Sequence, residues 1–155
     1  LLRAQGATVV LTRSNNSSVG PCVNRRAEIG NEAHADVALS IHGDGAPPNG
    51  RGFTVLVPVL SSVNGTIIAP SNVFARDLVT AFQSVLPISN YSGTNGISPR
   101  SDLAGLNLST VPKVLIECGN MRNATDAALM KSASWQNRAA QALDNAITQY
   151  LGGTS

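Results

Sequence analysis

The chain alternates between short apolar runs and longer segments that carry helical patterns. The apolar runs are rich in β-branched residues and predict strands at 7–12, 36–41, 53–57 and 113–118. The runs at 36–41 and 113–118 are apolar almost throughout, which is typical of strands that are buried on both faces.

Helices are predicted between these runs, where apolar stripes, capping residues and terminal glycines mark their extent. They cover about 21–33, 71–86 and 134–151, with a helix end at Leu1–Gln5 and a short helix that Thr125 caps. Residues 88–110 follow neither pattern and predict a long irregular loop. This alternation predicts an α/β fold, with a mostly parallel twisted sheet and helices on both faces, built as a single domain over 1–155.

Composition narrows the classes of function. The sequence has 155 residues, 43% of them hydrophobic, which suits one globular domain. Its net charge of +2 and its scattered arginines do not predict binding to nucleic acid or to a membrane surface. No stretch is apolar for long enough to span a bilayer, so no membrane insertion is expected. The chain opens on a helix end without a visible signal peptide, and we therefore expect an N-terminal part to be missing.

The two cysteines, Cys22 and Cys118, leave two states open. They can pair as a disulfide in an oxidising compartment, or they can remain as buried free thiols. Two other kinds of site find no support, because the sequence contains neither a serine-hydrolase elbow nor a glycine-rich phosphate loop.

Two predicted strands carry an ionisable side chain at their ends. His42 follows the run that begins at Asp36, and Glu117 lies near the end of the run that begins at Lys113. Ligands of open α/β sheets bind outside the carboxyl ends of the strands, so His42 and Glu117 are expected to be neighbours if the strands are parallel. Neutral imidazole is a common zinc ligand, and a glutamate beside a metal-bound water can act as a general base. The simpler interpretation is that both are structural residues. Their occurrence together favours a metal-assisted hydrolytic site.

Catalytic zinc usually takes three protein ligands, and the other candidates in the chain are weak. His34 is interpreted as a surface or capping residue at a helix end. Asp44 is interpreted as a turn residue, with orientation of the His42 ring as the alternative. Cys118 is expected to point to the opposite face of the sheet from Glu117. From the residues alone, the metal site is therefore incomplete.

The order of motifs along the chain resembles the zinc-dependent N-acetylmuramoyl-L-alanine amidases of the third amidase family, which are cell-wall autolysins. The motifs are LLRAQGATVVLTR, NRRAEIGNEAHADVALSIHGDGA, STVPKVLIECGNMRN and the final amphipathic helix. The resemblance implies a peptidoglycan or muropeptide substrate, cut with the help of zinc at the amide between N-acetylmuramic acid and L-alanine of the stem peptide. It also implies that His42 is a zinc ligand and that Glu117 is the general base and acid, while the metal polarises the scissile carbonyl.

The sequence departs from the family pattern in three places. The family's Gly-His-Gly strand and the glutamate ligand on its next helix have no counterpart, and Asp44 stands where the family has asparagine. We expect a monomer that acts outside the cytoplasm, in the periplasm or cell wall. Two other functions stay open: a non-catalytic module that binds muropeptide, and a zinc peptidase that cuts within the stem peptide.

Overall fold

The computed structural model describes residues 1–153, and these form a four-stranded, mostly parallel sheet. The strands are β1 (Ala38–Asp44), β2 (Thr54–Pro58), β3 (Ile97–Arg100) and β4 (Lys113–Asn120), in the spatial order β1-β4-β2-β3. β1 is parallel to β4 and β2 is parallel to β3, while an antiparallel pairing of β2 with β4 joins the two halves. The predicted α/β fold with a mostly parallel sheet is confirmed.

Helices cover both faces of this sheet. They are α1 (Val23–Glu32), α2 (Ile68–Phe82), α3 (Ala104–Asn107), α4 (Ala124–Met130) and α5 (Ala133–Gly153), with 3-10 turns at Leu2–Gln5 and Gly65–Ile67. α2 begins at Ile68, three residues before the helix start that was predicted at Ser71. Pro70 does not prevent this, because proline is tolerated in the first turn of a helix. Within the described range, no helix combines the length and the apolarity that crossing a bilayer requires.

The main apolar core lies between the sheet and the pair α2 and α5. Phe82 of α2 contacts Phe53 and Trp135, with ring centroids 5.1 and 6.2 Å apart. Cys118 points into this core, on the opposite face of β4 from Glu117, as the two-residue period of a strand predicts. Both cysteines are free thiols in the structure, and Cys118 is buried as the second state expected, but the expectation that Cys22 is buried is wrong because its thiol is exposed.

The predicted strand at 7–12 is wrong, because this segment forms no strand in the structure. Its residues Val10 and Leu11 are 55% and 62% exposed. The residues just before this segment are attached to α5, because the side-chain amide of Gln5 donates to the carboxylate of Asp144. β-branched residues favour an extended backbone, but a strand also needs a neighbour that accepts its hydrogen bonds, and no neighbour pairs with this segment in residues 1–153.

The ends of two strands also differ from the sequence prediction. β1 and β4 continue past His42 and Glu117, so that neither side chain lies at a strand tip. A register shift after His42 allows Asp44, the last residue of β1, to pair with Asn120. β3 lies inside the segment 88–110 that was predicted to be irregular. Its sequence Ile-Ser-Pro-Arg has no apolar run that could have indicated a strand.

The loop at 45–52 is fixed to the end of β4 and to α4 by polar side chains. The amide of Asn120 donates to the carbonyl of Gly50 at 2.8 Å. The buried carboxylate of Asp126 accepts the backbone N–H of Gly52 at 2.8 Å. These contacts hold the loop close to the edge of the sheet where β1 and β4 end.

Replacement of Gly50 by alanine is expected to destabilise this loop. A Cβ atom at this position would lie 2.6 Å from the ring of Tyr91, whose hydroxyl donates to Asp44 at 2.8 Å. The ring must move to relieve the overlap, and we expect the free energy of unfolding to fall by about 1–3 kcal/mol in urea denaturation. Gly45→Ala is the matched control because a Cβ there meets no atom within 4 Å. Equal stability of the two variants would show that the ring does not constrain the loop.

Candidate active site

The parallel pairing of β1 with β4 brings His42 and Glu117 together. The two residues are direct partners in the register, so both side chains leave the sheet on the same face. Nδ1 of His42 lies 3.8 Å from Oε1 of Glu117. The two side chains that the sequence analysis expected to be neighbours are therefore neighbours, although they lie on the sheet face and not at the strand tips.

The carboxylate of Glu117 is enclosed and has no hydrogen bond from the described residues. Its side chain is 16% exposed, and Oε2 is buried without a partner. Burial, followed by the charge of Asp44, raises the pKa of Glu117 to about 7, while Arg100 acts in the opposite direction. A carboxyl group with this pKa can take up and return a proton near neutral pH, as general acid–base catalysis requires.

The imidazole of His42 is half-exposed, with 46% of its side chain accessible. Burial, then the positive charges of Arg26 and Lys113, lower the pKa of His42 below its ordinary value. The ring is therefore neutral at neutral pH, which is the form that binds metal ions.

Asp44 makes contacts that the sequence did not reveal. The prediction that it is a turn residue is wrong, because it is the last residue of β1. Its carboxylate accepts the hydroxyl of Tyr91 at 2.8 Å and the backbone N–H of Gly45 at 2.6 Å, and neither contact involves the ring of His42. Burial, then this hydrogen bond, raises the pKa of the Tyr91 phenol. Sequence reasoning missed Tyr91 because no local pattern links it to a carboxylate on a different strand.

The described residues do not supply a complete metal site. Among residues 1–153, no three His, Cys, Asp or Glu side chains are grouped so that they could hold a metal ion. His34 is exposed after the end of α1 with a φ of 46°, the left-handed conformation that often ends a helix. His42 and Glu117 thus provide one imidazole and one carboxylate, which is fewer donors than the three protein ligands of catalytic zinc.

Comparison with known proteins identifies relatives along nearly the whole chain. Residues 1–149 match the protein family described as N-acetylmuramoyl-L-alanine amidase. An N-acetylmuramoyl-L-alanine amidase of Mycobacterium tuberculosis is 41% identical over 97% of this chain and 62% of its own length. The crystal structure of the amidase Ami1 from Mycobacterium smegmatis is 41% identical with a TM-score of 0.92, over 98% of this chain and 70% of that chain.

A more distant solved structure shows the same fold. The catalytic domain of CwlV, an N-acetylmuramoyl-L-alanine amidase from Bacillus (Paenibacillus) polymyxa, is 26% identical with a TM-score of 0.76, over 94% of this chain and 73% of that chain. The chain spans about three fifths of the length of the M. tuberculosis relative. The matched family is generally zinc-dependent and acts on the peptidoglycan of cell walls. The match over residues 1–149 and the shared fold establish that this chain belongs to the N-acetylmuramoyl-L-alanine amidase family.

Proposed function

We propose that this chain is the catalytic part of a zinc-dependent peptidoglycan amidase, which hydrolyses the amide between N-acetylmuramic acid and L-alanine of the stem peptide. The observation that carries the proposal is the buried, unpartnered carboxylate of Glu117 beside the half-exposed imidazole of His42. A buried carboxylate oxygen without a hydrogen bond reduces stability, and groups of this kind are concentrated at functional sites.

Glu117 is proposed as the group that moves the proton. Its carboxylate accepts a proton from the water that attacks the amide carbonyl, and the resulting acid donates that proton to the nitrogen of the leaving L-alanine. The absence of any competing hydrogen bond within the described residues leaves Oε2 available for this water. One group therefore serves as base in the first step and as acid in the second.

His42 is proposed as one ligand of a zinc ion. Its ring is accessible and is kept neutral by its surroundings, and the family to which the chain belongs is generally zinc-dependent. The other ligands are not among the side chains that residues 1–153 bring together. The substrate places the activity outside the cytoplasm, in the periplasm or cell wall. The proposed unit is a single catalytic domain that acts as a monomer, since one chain provides both residues of the pair.

Glu117→Gln is expected to abolish hydrolysis, because the amide keeps the shape of the side chain but cannot carry the proton. We expect the rate to fall at least about a hundredfold. The measurement is digestion of purified peptidoglycan in the presence of Zn²⁺, with chemical labelling and mass spectrometry of new free L-alanine amino termini.

Glu28→Gln in α1 is the matched control for this measurement, since its side chain is 55% exposed and pairs only with Arg25. It should digest peptidoglycan at the rate of the unsubstituted protein. New amino termini within the stem peptide would instead identify a peptidase. Binding of peptidoglycan without release of any fragment would identify a non-catalytic module.

His42→Ala is expected to weaken the binding of zinc. Loss of even a residue that supports a metal ligand costs about 10–100-fold in affinity, and loss of the ligand itself should cost at least as much. Equilibrium dialysis against Zn²⁺ with metal analysis measures the change. The chain has two histidines, so His34→Ala is the natural control and should leave the affinity unchanged. Equal loss in both variants would contradict the assignment of His42.

A further inference from the structure

Thr54 is the neighbour of Glu117 on the side away from His42. β2 and β4 are antiparallel, and Thr54 and Glu117 are direct partners in their register. Side chains of direct partners leave the sheet on the same face, with Cβ atoms about 5 Å apart. Glu117 is therefore flanked by His42 on β1 and by Thr54 on β2. Thr54 is only 1% exposed, so its hydroxyl depends on the protein for hydrogen bonds.

The carboxylate of Glu117 accepts no hydrogen bond from the side chains and backbone of residues 1–153. Oε2 is buried without a partner, and Oε1 lies 3.8 Å from Nδ1 of His42, which is beyond hydrogen-bond distance. A buried carboxylate oxygen without a donor carries the full cost of its desolvation. The free energy of the site therefore falls if a donor within reach turns toward this oxygen.

Two donors near Glu117 are already engaged by other carboxylates. The charge of Glu117 acts on the phenol of Tyr91 and on the guanidinium of Arg100, so both groups are close to it. The hydroxyl of Tyr91 donates to Asp44 at 2.8 Å. The guanidinium of Arg100 donates to the two carboxylate oxygens of Asp102 at 2.7 and 2.6 Å. Short bonds to a charged acceptor are strong, so neither group is readily released to Glu117.

The hydroxyl of Thr54 is held much more weakly than these two donors. It donates to the backbone carbonyl of Ser92 at 3.4 Å, whereas an ordinary O–H···O bond is about 2.5–3.0 Å long. A bond from a hydroxyl to a carboxylate is shorter and about twice as strong as one between neutral groups. Rotation of the threonine side chain and of the terminal carboxylate torsion allows the exchange. Thr54 is therefore the donor that can turn to Glu117 at least cost.

We propose that Thr54 is a positioning residue, whose hydroxyl donates to the carboxylate of Glu117 and fixes its orientation for proton transfer. This inference rests on the proposed function, because it assumes that Glu117 moves the proton. Each carboxylate oxygen accepts two hydrogen bonds, so the bond from Thr54 leaves an acceptor position for the attacking water. A carboxylate fixed in this way presents that position in one orientation, which favours the reacting geometry.

Two substitutions separate a hydrogen bond from packing. Thr54→Val keeps the shape of the side chain and removes the hydroxyl, whereas Thr54→Ser keeps the hydroxyl and removes the methyl group. If the hydroxyl positions Glu117, the valine variant is impaired and the serine variant is not. If Thr54 only fills space, the serine variant is the more impaired of the two.

The first measurement observes the carboxylate itself and needs no substrate. The chain has three glutamates, Glu28, Glu32 and Glu117, so ¹³C labelling of glutamate gives three side-chain carboxyl signals in an NMR spectrum. Loss of one signal in Glu117→Gln assigns it. At alkaline pH, where the carboxyl groups are ionised, Thr54→Val should shift the Glu117 signal and leave the other two in place. Thr54→Ser should return the signal to its position in the unsubstituted protein.

The second measurement is steady-state hydrolysis of soluble muropeptides in the presence of Zn²⁺. Thr54→Val should lower kcat about tenfold with KM unchanged, because the orientation of the carboxylate matters in the transition state and not in substrate binding. Thr54→Ser should restore kcat.

Ser71→Ala is the matched control, since Ser71 also carries a buried hydroxyl. That hydroxyl accepts the backbone N–H of Lys113 at 3.0 Å, at the opposite end of β4 from Glu117. Its loss should lower the midpoint of urea denaturation, and it should change neither kcat nor the Glu117 signal.

Three results would overturn the positioning role. An unchanged Glu117 signal and an unchanged kcat in Thr54→Val contradict it and leave the proposed hydrolysis intact. A change in Thr54→Ser as large as that in Thr54→Val also contradicts it, because the hydroxyl is then not the cause. If the unsubstituted protein releases no new L-alanine amino termini, the proposed function itself is contradicted, and the role of Thr54 in hydrolysis falls with it even where the signal shifts.

Discussion

The parallel register between β1 and β4 is the constraint on which the site depends. It begins where the N–H of Ala38 donates to the carbonyl of Pro112 at 2.8 Å, and it then places His42 opposite Glu117. A slip of one residue would turn one of the two side chains to the other face of the sheet, because the period of a strand is two. Neither side chain contacts the other through a hydrogen bond, so the backbone ladder alone keeps them together.

The same period separates stability from chemistry along β4. Val114, Ile116 and Cys118 point into the core against α2 and α5, whereas Lys113, Leu115 and Glu117 lie on the opposite face, where Leu115 packs against Leu56 and Leu106. Burial of the apolar positions contributes favourable free energy at roughly 25 cal/mol per Å². That contribution offsets the cost of holding the unpaired carboxylate of Glu117 partly out of water. A strand whose core-facing side is so apolar can therefore tolerate an unsatisfied carboxylate on its other side.

The sequence predicted the parts of this arrangement that leave a local pattern. Buried strands are apolar runs, and a polar residue inside such a run stands out, which is how His42 and Glu117 were found. Tyr91 was missed because its contact with Asp44 joins segments that are remote in sequence. The segment 7–12 was predicted wrongly for a related reason: its residues favour a strand, but strand formation depends on a neighbour elsewhere in space. Local pattern therefore predicts which residues can take part, and pairing decides which of them do.

Charges of both signs act on the pair of His42 and Glu117. After burial, the charge of Asp44 raises the pKa of Glu117 and that of Arg100 lowers it, whereas the positive charges of Arg26 and Lys113 lower the pKa of His42. The same surroundings therefore keep the imidazole in the neutral form that binds metal ions and bring the carboxyl group to a pKa at which it can exchange a proton near neutral pH.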